Sequence, residues 1–274
     1  MKKNLSLMMS VVLSLAVLAG CGTKIDAEGD GVFKVGMEVG YAPFNWSQNS
    51  DENGAVKIQD GEEYAAGYDV EIAKLIAEGL GEELVIVKTE WDGLTAALKT
   101  GTIDAIIAGM SPTAKRKESI DFSDNYYMSD LVVVVAKGSP YENAKTLEDF
   151  EGAKITAQLN TFHYDVIDQL VGSEKQTAMD NFSAIRVALE SGVIDGYVSE
   201  KPEGVSAKAA NDKFTFVEFE NGFETSPDDT AIAVGIKKDN DELTNKINEI
   251  LSGISVEKQL EIMEKSIANQ PAAN

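Results

Sequence analysis

The sequence predicts an α/β protein of two similar lobes, each a mainly parallel sheet flanked by helices. Three observations carry this prediction. Strand-like and helix-like stretches alternate from Phe33 onward, the pattern of βαβ units. Leu131 to Ala136 is an almost unbroken β-branched run, as expected of a strand covered on both faces. Third, Trp91 to Ile106 is echoed by Phe182 to Tyr197. Each stretch reads as helix, glycine, strand, with Gly101 and Gly192 where a helix needs a left-handed terminator. Two similar lobes, each with its own sheet, account for that echo.

The first twenty residues stand apart from this fold. Lys2 and Lys3 precede an uncharged apolar run from Leu5 to Ala19. A membrane span needs about 20 apolar residues, so the run is too short and fits the apolar region of a secretory signal. It ends Leu18-Ala19-Gly20-Cys21, and Cys21 is the only cysteine. That ending resembles the lipobox of bacterial lipoproteins, which implies a signal peptide over 1–20 and acylation of Cys21. Residues 21–31, small and polar, then form a tether. Removing Lys2 and Lys3 takes the net charge from −22 to −24.

Beyond the tether, Val32 to Val39 is β-rich, and Tyr68 to Leu80 is an amphipathic helix with Ile72, Leu75, Ile76 and Leu80 on one face. Glu83 to Thr89 alternates as a strand, Trp91 to Lys99 is helical, and Ala105 to Ala108 is a short buried strand. Asn45 to Ala66, polar and acidic, interrupts the pattern and reads as a hairpin or loop insertion.

Composition excludes several functions. With 24 Lys+Arg against 46 Asp+Glu, a phosphate backbone would be repelled, so nucleic acid is not the partner. One cysteine allows no internal disulfide framework or thiolate zinc site. One histidine excludes a multi-histidine metal site and weakens any Ser-His or Cys-His reading. No cofactor is implied, and no enzyme is expected.

In open α/β sheets ligands bind beyond the carboxyl ends of the strands, so the segments after Ile106 and Tyr197 are the ones to inspect. The first is Ala108-Gly109-Met110-Ser111-Pro112-Thr113-Ala114-Lys115-Arg116. Gly109 permits close backbone approach, Thr113 is a helix N-cap, and Arg116 is one of only two arginines. A guanidinium can grip a carboxylate with two parallel hydrogen bonds, which lysine cannot do, although Arg116 reads equally as a solvated charge. The second segment is Val198-Ser199-Glu200-Lys201-Pro202. Glu200 is either a cation acceptor or an acid stabilised at a helix N-terminus. An anion clamp and a cation acceptor would together match a zwitterionic amino acid.

Four stretches carry a family resemblance over nearly the whole mature chain. They are Gly40-Tyr41-Ala42-Pro43-Phe44, Gly67-Tyr68-Asp69-Val70-Glu71-Ile72-Ala73, Trp91-Asp92-Gly93-Leu94, and Gly101 to Tyr127. In this order they resemble the polar amino-acid solute-binding proteins of ABC importers. The resemblance implies a type II periplasmic-binding-protein-like fold with two hinge strands, lobe one spanning 32–129 plus 231–274 and lobe two 130–230. It implies that Arg116 grips the ligand carboxylate, helped by Ser111, backbone near Gly109, and Thr161 from lobe two. Glu200 would hold the ammonium, where the family more often has aspartate. Leu159-Asn160 replaces the usual Gly-Thr or Gly-Ser before Thr161.

For the ligand side chain, the resemblance makes Tyr68 the stacking aromatic, Tyr41 a second wall, and Glu38 an acid at the distal end. Trp46 is either a wall closing the pocket or a lid over the core. His163, in an expected helix after Thr161, reads as a helix-surface or supporting residue rather than a ligand contact. The implied function is capture of a polar, cationic L-amino acid (arginine, lysine or ornithine) by lobe closure. Glutamine, histidine or cystine are the alternative ligands, and a periplasmic dehydratase-like enzyme on the same fold is the alternative from another class. The expected partners are the permease with its ATPase and the membrane, through lipidated Cys21. The chain is expected to be a monomer held at the outer or periplasmic face of the cell membrane.

Overall fold

The computed structural model describes residues 31–271. The expected signal peptide, Cys21 and the tether up to residue 30 lie outside the described residues.

β1 (Val32–Met37) alternates to bury Phe33, Val35 and Met37. Val39, at φ +50°, turns the chain out of the strand two residues earlier than expected, with Glu38 at the turn. The stretch 45–66, read as a hairpin or loop, is strand-bearing. Its β3 (Asn45–Gln48), β4 (Val56–Lys57) and β5 (Tyr64–Ala66) join β2 (Gly40–Tyr41) in a small antiparallel sheet of order β2-β3-β5-β4. The hairpin alternative holds, with β3 and β4 each antiparallel to β5, but pieces of two to four residues are too short for periodicity to give their bounds.

α1 (Tyr68–Leu80) buries Ile72, Ala73 and Ile76 and ends at Gly81, whose φ of 74° is the left-handed cap that stops the helix. Burying each isoleucine contributes about 1.5–3 kcal/mol. Leu75 and Leu80, expected on the same face, are partly buried against this core. β6 (Glu83–Lys88) then pairs in parallel with β1 along its whole length. α2 (Leu94–Thr100), β7 (Ala105–Ile106), α3 (Ala114–Lys117) and β8 (Asp121–Met128) follow.

The chain next enters a second sheet with β9 (Leu131–Ala136), whose four valines are fully buried, as its composition predicts. After it come β10 (Lys154–Thr156), α4 (Phe162–Asp165), β11 (Glu174–Lys175), α5 (Phe182–Glu190), β12 (Gly196–Glu200), α6 (Lys201–Ala210) and β13 (Phe214–Val217). α7 (Pro227–Thr230) leads back to β14 (Ala231–Ile236) in the first sheet, and α8 (Asp241–Ser252) and α9 (Val256–Asn269) close the fold. α8 packs on α1, where Gly79 leaves space for Ile250. α9 touches both α1 and α6.

The two sheets have the same topology. The first runs β6-β1-β7-β14-β8 and the second β11-β10-β12-β9-β13. In each, three parallel strands are followed by two more joined through antiparallel pairings, β7-β14-β8 in the first and β12-β9-β13 in the second. The antiparallel strands are those that carry the chain between sheets, and Ser129 N donates to Thr230 O at 3.0 Å where the two crossings run side by side.

The sequence echo is a structural repeat in detail. Thr102 N bonds Ala97 O behind Gly101, as Val193 N bonds Ala188 O behind Gly192. Asp104 accepts from Lys34 N at 2.9 Å, and Asp195 accepts from Lys154 N at 2.9 Å. In both lobes this aspartate ties the strand's start to its parallel neighbour.

The second arginine, Arg186 on α5, is structural. Its Nε and Nη2 donate to Glu203 Oε1 at 3.0 and 2.8 Å, and Tyr197 donates to the same oxygen at 2.8 Å. Arg186 Nη2 also donates to Ser206, and Gln270 beyond α9 donates to Ser206 O at 3.2 Å. A buried ion pair thereby links α5, α6 and the end of α9.

Candidate functional site

β7 and β12, the repeated strands, end on opposite walls of one cleft. On the first wall the chain turns through Gly109 at φ +63°, where a Cβ would stand 2.7 Å from the Tyr41 ring, so only glycine fits. A buried relay fixes this turn. Gly109 N donates to the Tyr126 hydroxyl at 3.3 Å, Tyr126 donates to Asp69 at 2.7 Å, and Asn45 donates to the other Asp69 oxygen at 2.8 Å. Burial still pushes Asp69 up to about 6.

Arg116 rises from the short helix that Thr113 caps. Its Nη1 donates to Ser111 O at 2.8 Å, its Nη2 to Asn160 O across the cleft at 3.2 Å, and its guanidinium lies 5.0 Å over the Trp91 ring. Burial lowers Arg116 to about 10, which leaves it charged at neutral pH. Arg116 is thus a held, cleft-facing cation rather than a solvated charge.

On the second wall Asn160 adopts φ +57°, a left-handed conformation that asparagine tolerates better than most side chains. Thr161 then stands at the N-cap position of α4, its hydroxyl turned back to donate to Gln158 O at 2.7 Å rather than capping the helix. Asn160 Nδ2 reaches back across the cleft to Asp92 at 2.8 Å.

Glu200, the last residue of β12, is 1% exposed. Tyr41 donates its hydroxyl to Glu200 Oε2, and His163 Nε2 lies 2.9 Å from Oε1. Burial raises Glu200 to about 8, helped by Glu203 and opposed by a backbone hydrogen bond. Burial, with the charge of Arg116, lowers His163 to about 3, so the ring is neutral. Gln158 Nε2 donates to Glu38 Oε2 at 2.9 Å from the opposite lobe. Burial raises Glu38 to about 7 against that bond, and Glu38 Oε1 is buried with no hydrogen-bond partner.

The structure brings Arg116, Ser111, Gly109, Tyr41, Thr161 and Glu200 onto one cavity. Glu38 joins them through Gln158. Tyr68 and Trp46 are elsewhere. Tyr68 is fully buried in the core of the first lobe, its hydroxyl donating to Tyr126 O at 2.8 Å, because the first turn of α1 faces inward. The aromatic wall is instead Tyr41 stacked on Phe182, with ring centroids 4.4 Å apart. Trp46 lines a separate cavity of about 350 Å³ between the insertion sheet, α1 and α9.

Sequence reasoning missed Trp91, Gln158, Phe162 and Phe182 on the lining, and His163, read as a helix-surface or supporting residue, lies there too. A signal existed for two of them: Trp91 and Phe182 are the aromatic first residues of the echoed stretches, and both face the cleft. The cavity measures about 10 Å³, room for about one water. Its polar groups bond one another across the cleft, Tyr41 to Glu200 and Arg116 to Asn160, and leave no room for a larger molecule. Among the described residues no group of three His, Cys, Asp or Glu could hold a metal ion.

Two lobes of identical topology, joined by paired crossings and lining one cleft, define a type II periplasmic-type solute receptor. The chain belongs to the bacterial extracellular solute-binding proteins, family 3, whose model matches residues 33–268. It is 32% identical to a probable histidine-binding protein of Campylobacter jejuni over 222 residues, 75% of this chain and 80% of that one. It is 26% identical to the arginine-binding extracellular protein ArtP of Bacillus subtilis over 272 residues, 97% of each. Among solved structures, an amino-acid ABC transporter substrate-binding protein from Streptococcus pneumoniae bound to L-arginine superposes with a TM-score of 0.75 at 27% identity. That match covers 87% of this chain and 95% of the other.

Proposed function

We propose that this protein captures a cationic L-amino acid, with arginine first, lysine and ornithine next, and delivers it to an ABC importer. The observation that carries the reading is the placement of a cation, Arg116, and a carboxyl, Glu200, from different lobes on one cavity. Arg116 takes the ligand carboxylate with Ser111 and Thr161, and Glu200 takes the ammonium. Each half-site alone is weak in water, and closure strengthens both because water leaves and the local dielectric falls. Tyr41 and Phe182 provide the apolar wall, and the free buried oxygen of Glu38 provides an acceptor for a distal cation. The names of some relatives, arginine- and histidine-binding, agree with a basic side chain, while others are named for cystine.

In this reading residues 32–129 with 231–274 form one lobe and 130–230 the other. Cys21 carries a lipid that holds a monomeric receptor at the outer or periplasmic face of the cell membrane. The closed form docks on a permease driven by its ATPase.

Thermal denaturation of the mature, unlipidated protein against the twenty amino acids, ornithine, citrulline and cystine tests this. A ligand at a hundred times its dissociation constant adds about 2.7 kcal/mol, a readily measured shift. A rise with arginine, lysine or ornithine supports the reading. A rise with glutamine, histidine or cystine alone keeps the clamp and removes the role of Glu38. Folded protein with no response to any of them overturns amino-acid capture.

A further inference from the structure

His163 is the only histidine in the chain, and the clamp described above has no task for it. Its side chain is 7% exposed, on the same cavity as Glu200. Nε2 stands 2.9 Å from Glu200 Oε1, yet neither ring nitrogen and not that oxygen completes an aligned hydrogen bond. Other groups bear on the pair from every side. Arg116 is near enough to repel a proton on the ring, Glu203 adds negative charge behind Glu200, and Tyr41 bonds the second Glu200 oxygen. Ser199 Oγ lies 3.5 Å from that second oxygen, and Phe162 covers the ring with centroids 4.2 Å apart.

A sealed carboxyl that must receive an ammonium has to change charge during capture, and its neighbours have to suit both states. A neutral imidazole can do so, because one ring nitrogen accepts while the other donates and the two can exchange roles. We propose that His163 is a positioning residue for the ligand ammonium, holding the Glu200 carboxyl in both of its charge states. Before capture, the protonated Glu200 donates to Nε2, and Nδ1 carries the imidazole proton. After capture, the carboxylate accepts from Nε2–H and from the ammonium, Nδ1 is unprotonated, and one proton has left to solvent. The low proton affinity of the ring supports this, since an imidazolium there would compete with the ligand for Glu200. The inference rests on the proposed amino-acid capture at this site.

Nitrogen NMR of the untagged protein tests it directly, because a single histidine gives a single pair of ring signals. The ring should be neutral from pH 6 to 8, and saturation with L-arginine or L-glutamine should move its proton from Nδ1 to Nε2. Calorimetry with L-glutamine at pH 7 in two buffers of different ionisation enthalpy should show between half and one proton released per ligand, and L-arginine should release more because Glu38 adds its own. His163→Leu should bind about tenfold more weakly and shift the pH midpoint of affinity. His163→Gln, which also both donates and accepts, should recover most of the loss. Ring nitrogens unmoved by a saturating ligand would remove the role of His163 and leave the clamp standing. A folded Leu variant with unchanged affinity and pH midpoint would do the same. Should that variant fail to fold, the tautomer of the native ring decides the matter. If neither amino acid binds, the clamp and this role fall together.

Discussion

Glu38 and Glu200 face the same problem from opposite lobes, a carboxyl taken out of water with few partners. Burial lifts them to about 7 and about 8, so in the ligand-free cleft a large share of each is protonated at neutral pH. A bound cation favours the ionised form and lowers that pKa again, so capture releases protons and affinity rises with pH. For a ligand with a neutral side chain only Glu200 counts, and the association constant should rise about tenfold per pH unit between 6 and 7.5. For arginine Glu38 adds its proton, and the slope below pH 7 should approach about a hundredfold per unit. Calorimetric titrations of both ligands across pH 6 to 8 check this; parallel, flat profiles would contradict it. Glu38→Gln should weaken arginine by about tenfold and leave glutamine nearly unaffected, read as the ratio of the two dissociation constants. At this scale the placement of Arg116 and Glu200 on one cavity was legible in the sequence, because each follows the end of a recognisable strand. The aromatic wall was not. Whether Tyr41 or Tyr68 faces the cleft depends on how the first turn of α1 is rotated, and that rotation is set by the packing of Phe44, Tyr126 and Tyr127 around it.

The repeated helix-glycine-strand units explain why the site falls between two walls. Each unit uses the same left-handed terminator and the same aspartate tie, so each delivers its strand end to the cleft in the same geometry. Sequence showed these units because glycine and aspartate mark them. It offered a hairpin for the insertion but not the strand bounds or the pairing with β2, because these short strands are stabilised by pairing rather than by any pattern of their own. The Arg186–Glu203 pair does for the second lobe what apolar packing does elsewhere, at the risk of leaving a buried charge exposed to mutation. Arg186→Met strands Glu203 and should cost about 3–5 kcal/mol in chemical denaturation. The double variant with Glu203→Leu should recover most of that loss. A single variant as stable as the native protein would show that the pair contributes little.

For the molecule as a whole, the proposed capture has the lobes swing about the two crossings, which run side by side where Ser129 N donates to Thr230 O. The cleft-spanning bonds, Tyr41 to Glu200, Arg116 to Asn160, Gln158 to Glu38 and Asn160 to Asp92, are what such a swing breaks and remakes. None of these partners lies near the other in sequence, which is why the lobes were legible and their contact was not. A ligand that replaces the first two bonds with stronger ones shifts the balance towards closure. The central claim is that Arg116 holds the group common to every amino acid. The most direct measurement is the affinity of Arg116→Ala for L-arginine beside that of the native protein, by titration calorimetry at pH 7.5. Loss of one partner from a buried charge pair costs about 2–5 kcal/mol, so binding should weaken by at least about thirtyfold. An Arg116→Ala protein that folds and binds L-arginine with native affinity would contradict the account.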